Sequence, residues 1–366
     1  MFAPNWLGDV VMALPAIADL RRHFRTARLV VAARPSVAPL FDLVPGIDRV
    51  VTLRWRGRWP RTAVFEADLA AIREGGVPER SVAVLLPNSF ASAWVAKRAG
   101  IRERWAYATD WRSRLLTRAI RVPRASVHQG RYYQQLTEML GIPGGPLEPA
   151  VDVPDRLREE VATLLAAAGW DGQQRLVAMA PGAAYGTAKR WLPAHFATLI
   201  TSLAREQHVQ AVLIGSAGDA DTVRTILRDR DVQSAQPLDV VGRTSLQQLA
   251  GVLALSSACV SNDSGAMHLA GTIGTPIVAL FGPTRDSETS PLTRAGGDSQ
   301  VLINPVWCRP CMLRECPIDH RCMKGLSPAV ALRAVGRALS IPRGGCADRL
   351  PVPRADGTDS QARPGA

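Results

Sequence analysis

The chain has 366 residues, 47% hydrophobic and 21% charged, with a net charge of +12 and a pI near 10.3. That length suits two domains with full cores, and the composition is globular. No apolar run approaches the ~20 residues needed to span a bilayer. The positive charge comes mostly from arginine. It favours phosphate-bearing or acidic partners (nucleic acid, an anionic membrane face, a phosphorylated substrate) without choosing among them. The N-terminus has no signal-peptide order of basic, apolar and small residues, so a cytoplasmic protein is expected, at most peripheral to a membrane.

Short apolar runs alternate with amphipathic segments twice over. In the first half, strands are expected at 29–33, 49–53, 81–86 and 104–108, with helices at 10–24, 62–73 and 90–99. In the second half, strands are expected at 175–180, 209–214, 239–241, 258–261 and 277–281. Helices are expected at 194–206, 220–229 and 246–255, and from about Ser264. This alternation predicts an α/β chain of parallel sheets covered on both faces, hence two Rossmann-like doubly wound domains with ligand between them at the carboxyl ends of the strands. The Gly- and Pro-rich stretch 141–155 places the boundary at 148/149, giving domains 1–148 and 149–340. Only Met1, Phe2 and Ala3 precede the first turn, so the first sheet lacks most of its first strand or the true start lies upstream; the second is favoured. Residues 341–366, rich in Pro, Gly, Arg and Ser, read as a disordered tail.

The stretch 258–284 (ACVSNDSGAMHLAGTIGTPIVALFGPT) reads as strand, polar loop, helix and strand. Asp263, Ser264 and Gly265 open the helix, where free N–H groups and the helix dipole suit an anion. His268 lies one turn in, either a packed bystander or a donor to phosphate or sugar. At 181–191 (PGAAYGTAKRW), a small-residue loop carrying Thr187, Lys189 and Arg190 can wrap a diphosphate, with the Lys189 ammonium as a point charge; it is not a P-loop, and a basic surface loop is the plainer account. In Asn5-Trp6-Leu7-Gly8-Asp9, Gly8 permits close backbone approach, and Asp9 is either a helix N-cap or a general base at the cleft edge. Asp219 and Asp221 form an Asp-x-Asp pair, but they follow a Gly-Ser-Ala-Gly turn and complement a helix dipole, so a metal role is discounted. Cys308, Cys311, Cys316 and Cys322 can ligate zinc, although the usual second C-x2-C is missing. The run 54–61 (RWRGRWPR) suits phosphates plus ring stacking, or a solvated loop.

Together, PNWLGDVVMALPA at 4–16, PGAAYGTAKRW at 181–191, NDSGAMHLAG at 262–271, FGPT at 281–284 and the cysteine-bearing segment resemble the ADP-heptose:lipopolysaccharide heptosyltransferases over residues 4–340. Asn5-Trp6 before Leu-Gly-Asp points towards the type II branch. The resemblance implies a GT-B fold, two Rossmann-like domains facing a central cleft, with a C-terminal helix returning towards the first domain. It implies ADP-L-glycero-D-manno-heptose as donor and the heptose on the Kdo-lipid A inner core as acceptor, at the cytoplasmic face of the inner membrane. It implies an inverting reaction without metal or cofactor. Asp9 then matches the base, Lys189 the residue steadying ADP, Asp263, Ser264, Gly265 and His268 the donor-binding helix start, and Thr187 the phosphate loop; Asn5 and Gly8 join the substrate-binding set.

Other readings remain testable. Another GT-B transferase of the same superfamily, such as heptosyltransferase I or III or an enzyme acting on a different core sugar, would be separated by a panel of sugar nucleotides with defined truncated acceptors. An NAD(P)-dependent oxidoreductase needs a G-x-G-x-x-G after a strand, which this sequence lacks. A nucleic-acid binder would rest on charge alone, and no nucleic acid is expected as partner.

Overall fold

A computed structural model describes residues 1–55, 63–76 and 80–341. Most of the Arg-Trp run (56–61) and nearly all of the expected tail (342–366) lie outside the described residues. Arg54 and Trp55 are described. Trp55 is buried against Phe65 at a ring distance of 4.8 Å, so this tryptophan is core rather than a stacking platform.

In the first half, β1 (Val30–Ala33) pairs with β2 (Arg49–Thr52), and β3 (Val82–Val84), β4 (Glu103–Tyr107) and β5 (Arg118–Ile120) form a second parallel group. The short first strand joins them. Phe2 bridges Ala32 on one side and Leu85 on the other, with Phe2 N donating to Val84 O and Ala32 N to Met1 O. Taken by position, the sheet runs 3-2-1-4-5-6 with Met1 to Ala3 as strand one. In the second half, β6 (Arg175–Ala180), β7 (Val209–Leu213), β8 (Leu238–Asp239), β9 (Ser256–Asn262), β10 (Ile277–Phe281) and β11 (Ser299–Ile303) repeat that order, all parallel. This is the dinucleotide-fold order, whose reversal point opens a crevice beyond the strand ends.

Helices cover both faces. The first half carries α1 (Leu7–His23), α2 (Ala63–Gly75), α3 (Phe90–Arg98) and α4 (Gln129–Met139). The second carries α5 (Asp155–Ala167), α6 (Pro193–Gln207), α7 (Ala220–Leu227), α8 (Arg230–Ser234), α9 (Leu246–Leu255), α10 (Gly265–Ile273), α11 (Asp286–Thr289), α12 (Arg321–Lys324) and α13 (Pro328–Leu339). One apolar cluster runs through both halves, from Val10, Leu14 and Ile17 of α1 through Leu136 and Leu165 to Leu253 and Leu269. The lobes therefore share a core along the α1–α10 seam, because the apolar stripe of each helix needs the other to leave water. The expected return of the C-terminal helix to the first lobe is corrected: α13 packs on α6, β9 and β10, in a cluster made of second-half side chains.

The elements not foreseen are β5, β11, α4, α5, α8, α11 and α12. Among them, α4 matters most for the cleft, since it packs on α1. Asp19 fastens that pair: its carboxylate accepts from Gln134 Nε2 on α4 and from Gly145 N, both at 3.0 Å.

Arg112, between β4 and β5, is fully buried. Its guanidinium donates to the carbonyls of Tyr107, Pro87 and Ser89 and to Ser92 Oγ, tying the loops after β3 and β4 together. Burial lowers its pKa to about 10, so it stays charged at neutral pH. Arg112→Leu strands these buried acceptors and is expected to cost about 3 kcal/mol of stability, read as a lower urea midpoint. An unchanged midpoint would show that the loops find their donors elsewhere.

Candidate active site

The two reversal points face each other. In the second lobe, the chain leaving β6 forms the loop to Lys189, and the chain leaving neighbouring β9 enters Asp263, Ser264 and α10. In the first lobe, the chain leaving the Met1–Ala3 strand turns at once into α1, which carries Asp9. A cavity of about 580 Å³ lies between, its wall including Gly8, Asp9, Lys189, Asp263, Ser264, Gly265 and His268. Seven of the nine residues expected at the site therefore share one crevice. Asn5 and Thr187 do not line it. Asn5 is exposed, accepts from Arg34 Nε at 3.3 Å and borders a separate small hollow of about 50 Å³. Thr187 is exposed at the start of the short 3-10 turn that carries Lys189.

Asp9 is not the N-cap of α1. Trp6 occupies that position, and Asp9 sits in the first helical turn. Its carboxylate is thus spared from capping and reaches the Tyr133 hydroxyl of α4. Burial, the largest influence, pushes the Asp9 carboxyl above the ordinary carboxylate range; the Tyr133 hydrogen bond and the Lys189 ammonium pull it back, and Asp263 adds to the rise. A half-buried carboxyl with a raised pKa and an opposite charge across the cleft suits proton abstraction.

Across the cleft, Lys189 Nζ donates to Asp263 Oδ2 at 2.6 Å, with the two side chains 13% and 5% exposed. Thr284 Oγ1 donates to the same oxygen at 2.7 Å. Asp263 thus anchors the lysine; it does not present a free carboxylate to the crevice. Ser264 is the N-cap of α10 by position, but its Oγ faces Ser261 Oγ at 3.0 Å and caps nothing. The first N–H groups of α10 are accordingly left for an anion.

The two glycines serve helix packing. A Cβ on Gly8 would lie 2.9 Å from the His268 ring, and one on Gly265 would lie 2.8 Å from Leu7 Cβ. Their bareness lets the ends of α1 and α10 meet edge to edge. His268 is consequently buried at the seam, and among the described residues its Nδ1 has no hydrogen-bond partner.

Asp219 also borders the cleft; it closes a capping box with Ser216 and stands 3.9 Å from Arg190. Asp221 is exposed and paired with Arg224. The four cysteines 308, 311, 316 and 322 border one small cavity of about 20 Å³ away from the cleft. Among the described residues, no group of three or more His, Cys, Asp or Glu side chains is arranged to hold a metal ion. Sequence reasoning missed Tyr133 and Thr284. The Tyr-Tyr pair in an amphipathic stretch was the available signal for the first, and FGPT was the signal for the second.

Two parallel doubly wound lobes with facing reversal points define a GT-B transferase, a class that holds a nucleotide-activated sugar between its lobes. The chain belongs to glycosyltransferase family 9 (heptosyltransferase), whose profile matches residues 79–321. It is 29% identical to lipopolysaccharide heptosyltransferase 2 of Escherichia coli K12 over 80% of this chain and 85% of that one. The solved ADP-heptose lps heptosyltransferase II of E. coli superposes with a TM-score of 0.78 at 25% identity, over 92% of this chain and 97% of that one. E. coli heptosyltransferase WaaC, solved with ADP, matches with a TM-score of 0.67 at 16% identity over 92% and 98%, a likeness of fold. Among the described residues, no helix is long and apolar enough to cross a membrane.

Burial lowers the His268 imidazole pKa to about 4 from an ordinary 6.5. The unfolded chain therefore takes up a proton here that the folded chain refuses, and stability falls as pH drops from about 6.5 towards 4. His268→Gln removes this contribution, so its melting temperature should fall less steeply than the parent's across that window. Parallel slopes in thermal melts would contradict the burial of a neutral ring.

Proposed function

We propose that this glycosyltransferase moves heptose from ADP-L-glycero-D-manno-heptose to the heptose of the lipopolysaccharide inner core, the type II step, with inversion at the anomeric carbon. The observation that carries this reading is the shared crevice of Asp9 and Lys189, supplied by opposite lobes at facing reversal points. The similarity to type 2 enzymes supports the choice of step. Working boundaries are 1–148 for the acceptor lobe and 149–340 for the donor lobe. The acceptor glycolipid places the enzyme at the cytoplasmic face of the inner membrane, where the +12 charge favours an anionic leaflet.

Asp9 takes the proton of the acceptor hydroxyl as that oxygen attacks the anomeric carbon. The bond to the diphosphate oxygen breaks on the opposite face, and ADP leaves with the electron pair. Lys189 and the free N–H groups at the start of α10 receive the charge developing on the diphosphate. Each such preorganised donor contributes about 3 kcal/mol to the transition state. Asp263 fixes the ammonium in place before the donor arrives.

Asp9→Asn should retain ADP binding and lose transfer by about 10²-fold or more, measured as acceptor-dependent ADP release. Wild-type turnover in this variant would remove Asp9 from the reaction. Lys189→Ala should weaken ADP binding and slow transfer together; unchanged donor kinetics would remove the lysine. A panel of sugar nucleotides with truncated core acceptors decides the substrate, since turnover with UDP-sugars but not ADP-heptose would overturn the donor assignment.

The pH profile supplies an independent check. The base must be ionised, so the acid limb of kcat/KM follows the Asp9 carboxyl. Tyr133→Phe removes a hydrogen bond that holds that pKa down, so the limb should move to higher pH. A limb that stays in place would separate it from Asp9.

A further inference from the structure

The turn that presents Lys189 is poorly held by its own bonds. Thr187–Lys189 is a three-residue 3-10 turn, closed by Lys189 N to Gly186 O at 3.4 Å and Arg190 N to Thr187 O at 3.0 Å. Both backbone polar groups of its middle residue, Ala188, are satisfied from outside, by a segment more than a hundred residues downstream. Ala188 N donates to Arg314 O at 2.9 Å, and His320 Nε2 donates to Ala188 O at 2.7 Å, which fixes the ring in its Nε2–H form. One residue before the turn, Gly186 packs so closely on the Arg314 carbonyl that a Cβ would collide with it. Tyr185 Oη donates to Met312 O at 3.0 Å, while the Lys189 ammonium and the Arg314 guanidinium lie 4.9 and 5.1 Å from the Tyr185 ring.

The downstream segment is itself anchored. Met312 N donates to Pro283 O at 2.9 Å, and Arg309 donates to Gly282 O at 2.8 Å and Asp286 Oδ1 at 2.6 Å. His320 N donates to Cys316 Sγ at 3.2 Å, and Cys308, Cys311, Cys316 and Cys322 border the small cavity whose wall also includes Ala188 and His320. None of residues 306–321 lines the cleft.

We infer that the cysteine-bearing segment 306–321 is a clamp that positions Lys189, and that His320 is its principal positioning residue, acting through the Ala188 carbonyl. This inference rests on the proposed role of Lys189 at the departing diphosphate. The segment engages both backbone polar groups of Ala188, and so fixes where the next residue's side chain leaves the chain. Asp263 then only has to receive an ammonium already delivered to it. A shift of about 1 Å at such a group is enough to cost up to 10²-fold in rate.

The test compares His320→Phe, which keeps ring bulk without a donor, with His320→Gln, whose amide reaches the same carbonyl. In the full-length enzyme, His320→Phe should raise the donor KM and the ADP dissociation constant by about tenfold, leaving the acceptor KM unchanged; His320→Gln should stay within about threefold of the parent. General destabilisation would lower the active fraction, and hence kcat, without moving the donor KM. A folded His320→Phe enzyme with parental donor KM and ADP affinity would overturn the clamp. If His320→Phe does not fold, Tyr185→Phe removes the hydroxyl bond to Met312 and should raise the donor KM about twofold to threefold. An unchanged value there would equally overturn it. Lys189→Ala separates the two claims: if it leaves donor kinetics untouched, the lysine's assigned role fails first. If it impairs them while His320→Phe does not, only the clamp fails.

Discussion

The buried ion pair between Lys189 and Asp263 is the constraint on which the rest of the site depends. It joins the chain leaving β6 to the chain leaving β9, across the reversal point of the second sheet. Two charges withdrawn from water repay their desolvation only with good geometry and satisfied remaining lone pairs. Thr284 supplies the second bond to the same carboxylate oxygen, and the Tyr185 ring lies beside the ammonium. The pair is worth more as a locator than as a source of stability. It holds a cation at the cleft wall beside the start of α10. Removing Asp263 would leave a lysine with room to retreat towards solvent, and removing Lys189 would leave a buried carboxylate without its counter-charge.

Much of the second lobe was legible because fully buried parallel strands read as unbroken apolar runs. Strands 175–180 and 277–281 and helix 246–255 coincide with β6, β10 and α9 to the residue. What escaped lies at edges and on half-wet surfaces. Strand β5 has two exposed residues in three, and no residue of β11 is fully buried, so neither shows the run that marks a central strand. Helix α4 is polar overall and buries Tyr133 and Leu136 only because α1 lies against it; its sequence cannot announce that neighbour. Helix α5 begins at the end of the stretch whose glycines and prolines signal a boundary, and α13, implied only by the family resemblance, lies beside the tail.

Within the site, residue types were legible and partnerships were not. A polar loop before a helix marked Asp263 and Ser264, but the sequence could not say that Asp263 serves a lysine 74 positions away or that Ser264 turns to Ser261. Gly8 read as a glycine for close backbone approach, and Gly265 as part of an anion-binding helix start. Their constraint is the contact of α1 with α10, a tertiary fact. Asn5 and Thr187 sit beside residues that do face the crevice, and a motif written as a string does not record which side chains turn away.

The α1–α10 seam also bears on how the lobes work together. Because one apolar cluster crosses it, opening the cleft widely would expose side chains that have no other cover, such as Val10, Leu14 and Leu269. Asp9 and His268 both sit at the cleft end of this seam, and burial acts on them in opposite directions: it raises the carboxyl pKa and lowers that of the imidazole, favouring the uncharged form in each. The Lys189 ammonium works against that trend on Asp9, keeping ionisation within reach. The seam therefore does two jobs with one geometry. It fixes the spacing of the two lobes, and it sets a low-dielectric edge at which the Asp9 carboxyl, its pKa raised by burial, faces the anchored Lys189 ammonium across the cleft.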